Sequence, residues 1–262
     1  MTTQFFYASG LNADPGFLAI SRGQLEGFRP VIRSGFNPDV DAGAVQSVWD
    51  QGALYVFPPS PSVMGVSSTS PSDAAAGTGA RTLTVSGLDA DYNPISELVT
   101  LNGQNQVSTV QQFLRVFGLS AQSAGSGGVN VGDIYCGTGA PVAGVPPTIY
   151  SRMRPGFNLS QGVQYTIPAG FTGYVINALA SAMTSGTNQS TIVSIRRRVL
   201  GGVFNRTYSL VIAGQIADAS GQLYVRYPEK TDIDVSVETT DNNIIVGAQL
   251  RLLLVPGVDN PA

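Results

Sequence analysis

Residues 232–254 read DIDVSVETTDNNIIVGAQLRLLL, and their alternation decides the fold. Ile233, Val235 and Val237 take every second place beside acidic or hydroxyl residues. Ile244, Val246, Ala248, Leu250, Leu252 and Leu254 do the same after Asp241-Asn242-Asn243. A period of two puts the apolar set on one face of a strand, so each segment is expected to have one buried and one wet face. Asn and Asp bond their own backbone in tight turns, and the pair therefore reads as an antiparallel hairpin.

Working upstream, the same period returns at Val163, Tyr165 and Ile167. It continues after the turn PAGFTG in a strand from Tyr174 to Ala182, and a further block begins at Thr191. In the first half, strands are expected near Ala53–Phe57, Val63–Ser68, Arg81–Leu88, Ile95–Leu101, Phe113–Leu119 and Val129–Cys136. Many short strands at close spacing predict an all-β, antiparallel fold of β-sandwich or jelly-roll type. The stretch GTGAPVAGVPP, Gly137–Pro147, places glycines and prolines among small residues and is the expected domain boundary. The division is then an arm over 1–44, a β-sandwich over 45–144 and a second, jelly-roll-like sandwich over 145–262.

The first 44 residues show no sustained period, yet they hold Phe5, Phe6, Tyr7, Phe17, Phe28 and Phe36. That many aromatics is foreign to disordered chains, so an extended arm laid on its own domain or on a neighbour is expected. These six residues are interface candidates. Arg197 and Arg206 join them for a different reason. If Gly201-Gly202 forms a two-residue turn, Arg197 falls opposite Arg206 on a face shared with apolar side chains. Like charges so placed need an intervening acid, Asp234 or Glu238, from another strand or subunit. A bulge would instead shift the register and leave the arginines solvated.

Composition excludes several chemistries. The chain has no histidine, so no Ser-His-Asp or Cys-His arrangement exists and no imidazole titrates near neutrality. Cys136 is the only cysteine, which rules out an intramolecular disulfide and a cysteine zinc site. Asp39 with Asp41, Asp89 with Asp91, and Asp232 with Asp234 are spaced two apart, which on a strand puts both on one face. Their loops depart from the calcium pattern, with Ala42 and Pro94 where glycine is required. The glycine clusters lack the lysine of a phosphate loop and read as turns. No enzyme activity, cofactor or metal is expected. Residues 1–145 hold 10 acids and 5 bases and residues 146–262 hold 7 acids and 9 bases, so neither half is basic enough for nucleic acid. No apolar run reaches the roughly 18 residues of a membrane helix, and a soluble protein without membrane contact is expected. Only 12% of residues are charged, about half the usual share, which fits a surface covered by neighbours. Arginines outnumber lysines 13 to 1, and arginine tolerates interfaces better.

The string SDAAAGTGARTLTVSGLDADYNPISELVTLNGQNQ at 72–106 combines two alternating strands with the turn DADYNP. Together with SGFNPDVDAG at 34–43 and SAGSGGVNVGDI at 123–134, it resembles a family of virion structural proteins of tailed bacteriophages, podovirus- and cyanophage-like. The resemblance spans roughly residues 34–135. It implies a virion role, with assembly in the host cytoplasm. Within the virion, the aromatic arm, low charge and compact size point to a capsid decoration or cement protein that stabilises the head. Its partners would be the major capsid protein or other virion proteins, and a homo-oligomer, a trimer, is expected. The alternatives are a tail or fibre-base adaptor, a host-attachment protein, or a carbohydrate-binding module using Trp49, Tyr55, Tyr92 and Tyr150.

Overall fold

The computed structural model describes residues 18–20, 22–183, 190–212, 216–219 and 225–257. The chain forms β1 (Arg29–Val40), β2 (Gln46–Ser47), β3 (Ser62–Ser68), β4 (Ala80–Leu88), β5 (Pro94–Thr100), β6 (Val107–Phe113), β7 (Arg115–Ala124), β8 (Ile134–Thr138) and β9 (Thr148–Met153). It continues through β10 (Tyr165–Thr166), β11 (Phe171–Met183), β12 (Thr191–Arg198), β13 (Asn205–Ile212), β14 (Ile216–Ala219), β15 (Val225–Tyr227), β16 (Asp232–Thr239) and β17 (Ile244–Pro256). Every pairing between these strands is antiparallel.

The strands build one sandwich inserted into another. In the outer one, a sheet ordered β1-β17-β11, with β14 and β15 both on β11, faces a sheet ordered β16-β12-β13, with β2 and β10 both on β16. The first strand thus lies beside the last and the second beside the next to last, the pairing of a jelly roll. Between β2 and β10 the chain leaves to form the inserted sandwich, whose sheets run β6-β3-β8-β9 and β5-β4-β7. Each sandwich has its own core. One gathers Val40 and Val48 with Val163–Leu254, and the other gathers Met64–Met153.

The alternation in β17 holds throughout: Ile244, Val246, Ala248, Leu250, Leu252 and Leu254 all face the core. In β11 a bulge between Val175 and Asn177 lets Val175 and the even-numbered Ala178, Ala180 and Ala182 share that core. Gly35 is set by close approach, because a Cβ there would lie 2.2 Å from the Val48 carbonyl oxygen where β1 passes over the start of the insertion.

Residues 53–57 form no strand and belong to the segment that crosses between the sandwiches, and three expectations about the organisation of the chain change. Residues 29–40 are a jelly-roll strand on the edge of the outer sheet, not an arm, since β1 finds its partner in β17 more than 200 residues later. The outer sandwich therefore draws on both ends of the chain, and boundaries at 44 and 144 do not divide it. Gly137–Pro147 is not a linker either: it closes the hairpin of β8 and β9, with Val142 and Val145 bonded to each other. The chain crosses between the sandwiches at residues 48–61 and 154–164 instead. Finally, the second face of β16 is not wet. Asp232, Asp234 and Ser236 are as buried as Ile233, Val235 and Val237, because that face carries the seam between the sandwiches.

Candidate functional site

The seam is built from β16, whose alternation sends Asp232 and Asp234 to the same side. Asp232 is 3% exposed and accepts from both sandwiches. From the inserted one, Arg115 at the start of β7 makes a fork, with Nε 2.7 Å from Oδ1 and Nη2 3.0 Å from Oδ2. From the jelly roll, Arg198 donates to Oδ2 at 2.6 Å and the Thr166 hydroxyl to Oδ1 at 2.6 Å. The remaining Arg115 nitrogen donates to the carbonyls of Pro58 and Leu114, and its guanidinium sits against the Phe57 and Tyr92 rings at 5.3 and 5.7 Å. Asp234, two residues on, accepts from Ser47 Oγ at 2.7 Å, from Gln164 Nε2 at 2.9 Å and from Arg196. Arginine is suited to this layer because its planar fork fills a carboxylate bidentately and its faces stack on rings.

Aromatic rings extend the seam. Trp49, Tyr55 and Phe57 pack edge to face at 4.9 and 4.8 Å, and Phe57 stacks on Phe204 at 5.7 Å. Farther along, Phe117 of the inserted sandwich stacks on Tyr165 of the jelly roll at 4.5 Å. Arg33 of β1 ties both, donating to the carbonyls of Phe117 and Gly162. Burial pushes the Arg33 pKa down and the Tyr165 phenol up to about 12, the latter moderated by the Arg33 charge. Burial raises the Tyr55 phenol as well and lifts the Cys136 thiol to about 12, which keeps that sulfur a protonated, unreactive packing group.

The sequence candidates are scattered with respect to this seam. Phe5, Phe6, Tyr7 and Phe17 lie outside the described residues. Phe28 is half-buried just ahead of β1, and half-buried Phe36 supports the Arg154 guanidinium 4.6 Å above its ring. Arg197 and Arg206 are not opposite each other. The turn centres on Leu200-Gly201, where the Gly202 amide bonds to the Val199 carbonyl, and a bulge between Ile195 and Arg196 sets Arg196 against Arg206 and Arg197 against Asn205. The acids named from sequence, Asp234 and Glu238, do meet arginines, but these are Arg196 and Arg206 of the same sandwich. Among the described residues no acid pairs with Arg197. It donates to the Arg226 carbonyl at 3.3 Å and lies over Tyr227.

Because the Arg206 side chain is 45% exposed, its pair with Glu238 is a surface pair. Arg206→Ala is expected to change the unfolding free energy by less than about 1 kcal/mol, measured by urea denaturation.

Trp49, Tyr55, Tyr92 and Tyr150 are all buried, so none presents a platform to a sugar. The hollow beside them, lined by Trp49, Tyr55, Tyr150 and Gln164, has a volume of about 10 Å³, room for one water. Asp89 caps its own turn, accepting from the Asp91 and Asn93 amides at 2.9 Å. Among the described residues no three His, Cys, Asp or Glu side chains gather as a metal site, and no helix is long and apolar enough to cross a membrane. What sequence reasoning missed is Arg115, and a signal existed: FLRVFGL sets one arginine in an otherwise apolar run.

No protein-family model and no curated protein matches the chain. Among solved structures, the VP2 subviral particle of infectious bursal disease virus is similar with a TM-score of 0.25 and 11% identity, over 89% of this chain and 73% of that one. The structure of the Gx strain of the same virus gives a TM-score of 0.22 at 11% identity, with the same coverage. At these scores neither the fold nor the role of those proteins carries over.

Proposed function

We propose that the chain is a structural protein of a virion and that it decorates and cements the head of a tailed phage, binding the major capsid protein or other virion proteins. The observation that carries this reading is the jelly roll with a second sandwich inserted between its second and third strands and locked to it by buried ion pairs. Such a body is a rigid two-lobed block, suited to bridging neighbours. Jelly rolls serve as viral capsid and lectin domains, an analogy at the level of fold. Burial of the four candidate aromatics removes the support for the sugar-binding alternative. The likeness of residues 34–135 to phage structural proteins supplies the virion context.

The gluing element is placed upstream of β1, in the segment that carries Phe5, Phe6, Tyr7 and Phe17. Deleting residues 1–17 is expected to leave a folded protein that no longer sediments with purified heads. Deleting residues 1–44 removes β1 and Val40 from the jelly roll and is expected to abolish folding. Heads bound equally well by the 1–17 deletion would remove the arm from the mechanism, and binding to tails alone would replace cement with an adaptor. Closed particles formed by the isolated chain would make it a shell subunit instead.

A further inference from the structure

We infer that Asp50 is an acid sensor that tightens the docking of the inserted sandwich on the jelly roll as the pH falls. The residue sits where the two crossing segments clasp. Trp49 and Gly162 form an antiparallel bridge, the Asp50 amide donates to the Gln161 carbonyl at 3.1 Å, and the Gln161 amide returns to Asp50 Oδ2 at 2.7 Å. Asp50 is only 2% exposed. Its Oδ1 lies 3.3 Å from Arg154 Nε, within ion-pair range, yet neither atom makes a hydrogen bond, so a buried oxygen and a buried guanidinium nitrogen attract each other without the bond that would hold the charge in place.

Four charged groups meet at this clasp, each held by a different neighbour. Arg154 follows β9 and is drawn aside by the rings of Phe36 and Phe157, each 4.6 Å away. Arg152 of β9 donates to the Asp50 backbone carbonyl at 3.1 Å, but its Nε goes to Asp133 at 2.9 Å and its face lies over Tyr135. Asp133, just ahead of β8, adds a like charge. The cations that would stabilise an ionised Asp50 are therefore shared or misaligned, while its burial is nearly complete.

Burial accordingly pushes Asp50 up to about 6, against the lowering effect of the Gln161 amide and then of Arg154 and Arg152, with Asp133 adding to the rise. Undocked and wet, the same carboxyl would titrate near the ordinary value of about 3.9. The docked form thus holds the proton more tightly, and its advantage grows as pH falls through 6 and levels off below about 4, where both forms are protonated. Between pH 7.5 and 5 the docking equilibrium shifts toward the closed arrangement by about tenfold. Histidine usually supplies a response in this range, and this chain has none.

The test uses the full chain. Carboxyl carbon-13 titration of Asp50 is expected to show a midpoint near 6, and the protection factor of the Gln161 amide, corrected for intrinsic exchange, is expected to rise about tenfold from pH 7.5 to 5. Asp50→Asn is expected to keep that protection constant. A midpoint below about 4.5, or protection that falls on acidification, would mean that the Arg154 ion pair outweighs burial and would overturn the inference. Should Asp50→Asn fail to fold, Arg154→Gln decides: burial must keep the Asp50 midpoint at or above about 6 with the Gln161 protection still rising on acidification, and a midpoint that falls, or protection that no longer follows pH, sinks the proposal.

Discussion

Asp232→Ala is expected to lower the unfolding free energy by about 4 kcal/mol and Arg115→Ala by about 3 kcal/mol, read from urea denaturation at neutral pH. The order follows from what each change leaves behind. Removing the carboxylate strands the Arg115 guanidinium, whose side chain is 7% exposed, with only two carbonyls and two rings for company. Arg198, at 32% exposure, can turn to water, but Arg115 cannot. Removing Arg115 instead leaves Asp232 still bonded to Arg198 and Thr166, so its charge keeps a partner. An apolar replacement of both, Arg115→Leu with Asp232→Leu, should recover more than half of the loss, since the cost of holding two ions out of water disappears with them. A larger cost for Arg115→Ala than for Asp232→Ala would show that the cation–ring contacts, not the ion pair, hold the seam.

This same pair marks where sequence reading stops. Alternation located β3, β4, β5, β16 and β17 because each puts apolar residues on a single core. It missed β6, VSTVQQF, whose inward positions include Thr109, bonded through its hydroxyl to the Met64 amide, so the buried face carries no apolar period. It missed β9 because the Gly/Pro stretch before it looks like a linker and is a hairpin loop. A period of two reports that Asp232 and Asp234 face away from the core; it does not tell water from guanidinium. The register of Arg196, Arg197 and Arg206 turned on one bulge, which shifts every later pair yet leaves no mark in residue types. Above all, the insertion rests on pairing β1 with β17, and no local pattern links residues at opposite ends of a chain.

Asp73→Ala is expected to be as damaging as the loss of the seam acid, about 4 kcal/mol, although no ion pair is involved. Asp73 is fully buried in the inserted sandwich. Its Oδ1 accepts the amides of Ala80 and Val131 at 2.8 and 2.9 Å, and its Oδ2 accepts the Gly132 amide at 2.8 Å and the Ser68 hydroxyl at 2.7 Å. One side chain thereby pins the start of β4, the loop ahead of β8 and the end of β3. Alanine leaves three backbone donors and a hydroxyl without an acceptor in a site walled by Gly79 and Gly132, and each stranded donor costs about 1–3 kcal/mol before water or relaxation returns part of it. Asp73→Asn should not rescue, because its amide nitrogen turns a donor toward groups that are themselves donors, the Gly132 amide among them. Native-state hydrogen exchange gives the local reading. The amides of Ala80, Val131 and Gly132 should lose protection in Asp73→Ala beyond the global loss, while those of β17 track the global value alone. A stability loss under about 1 kcal/mol, with those three amides still protected, would mean that water takes over the carboxylate's place and that the loops are held by their own backbone bonds.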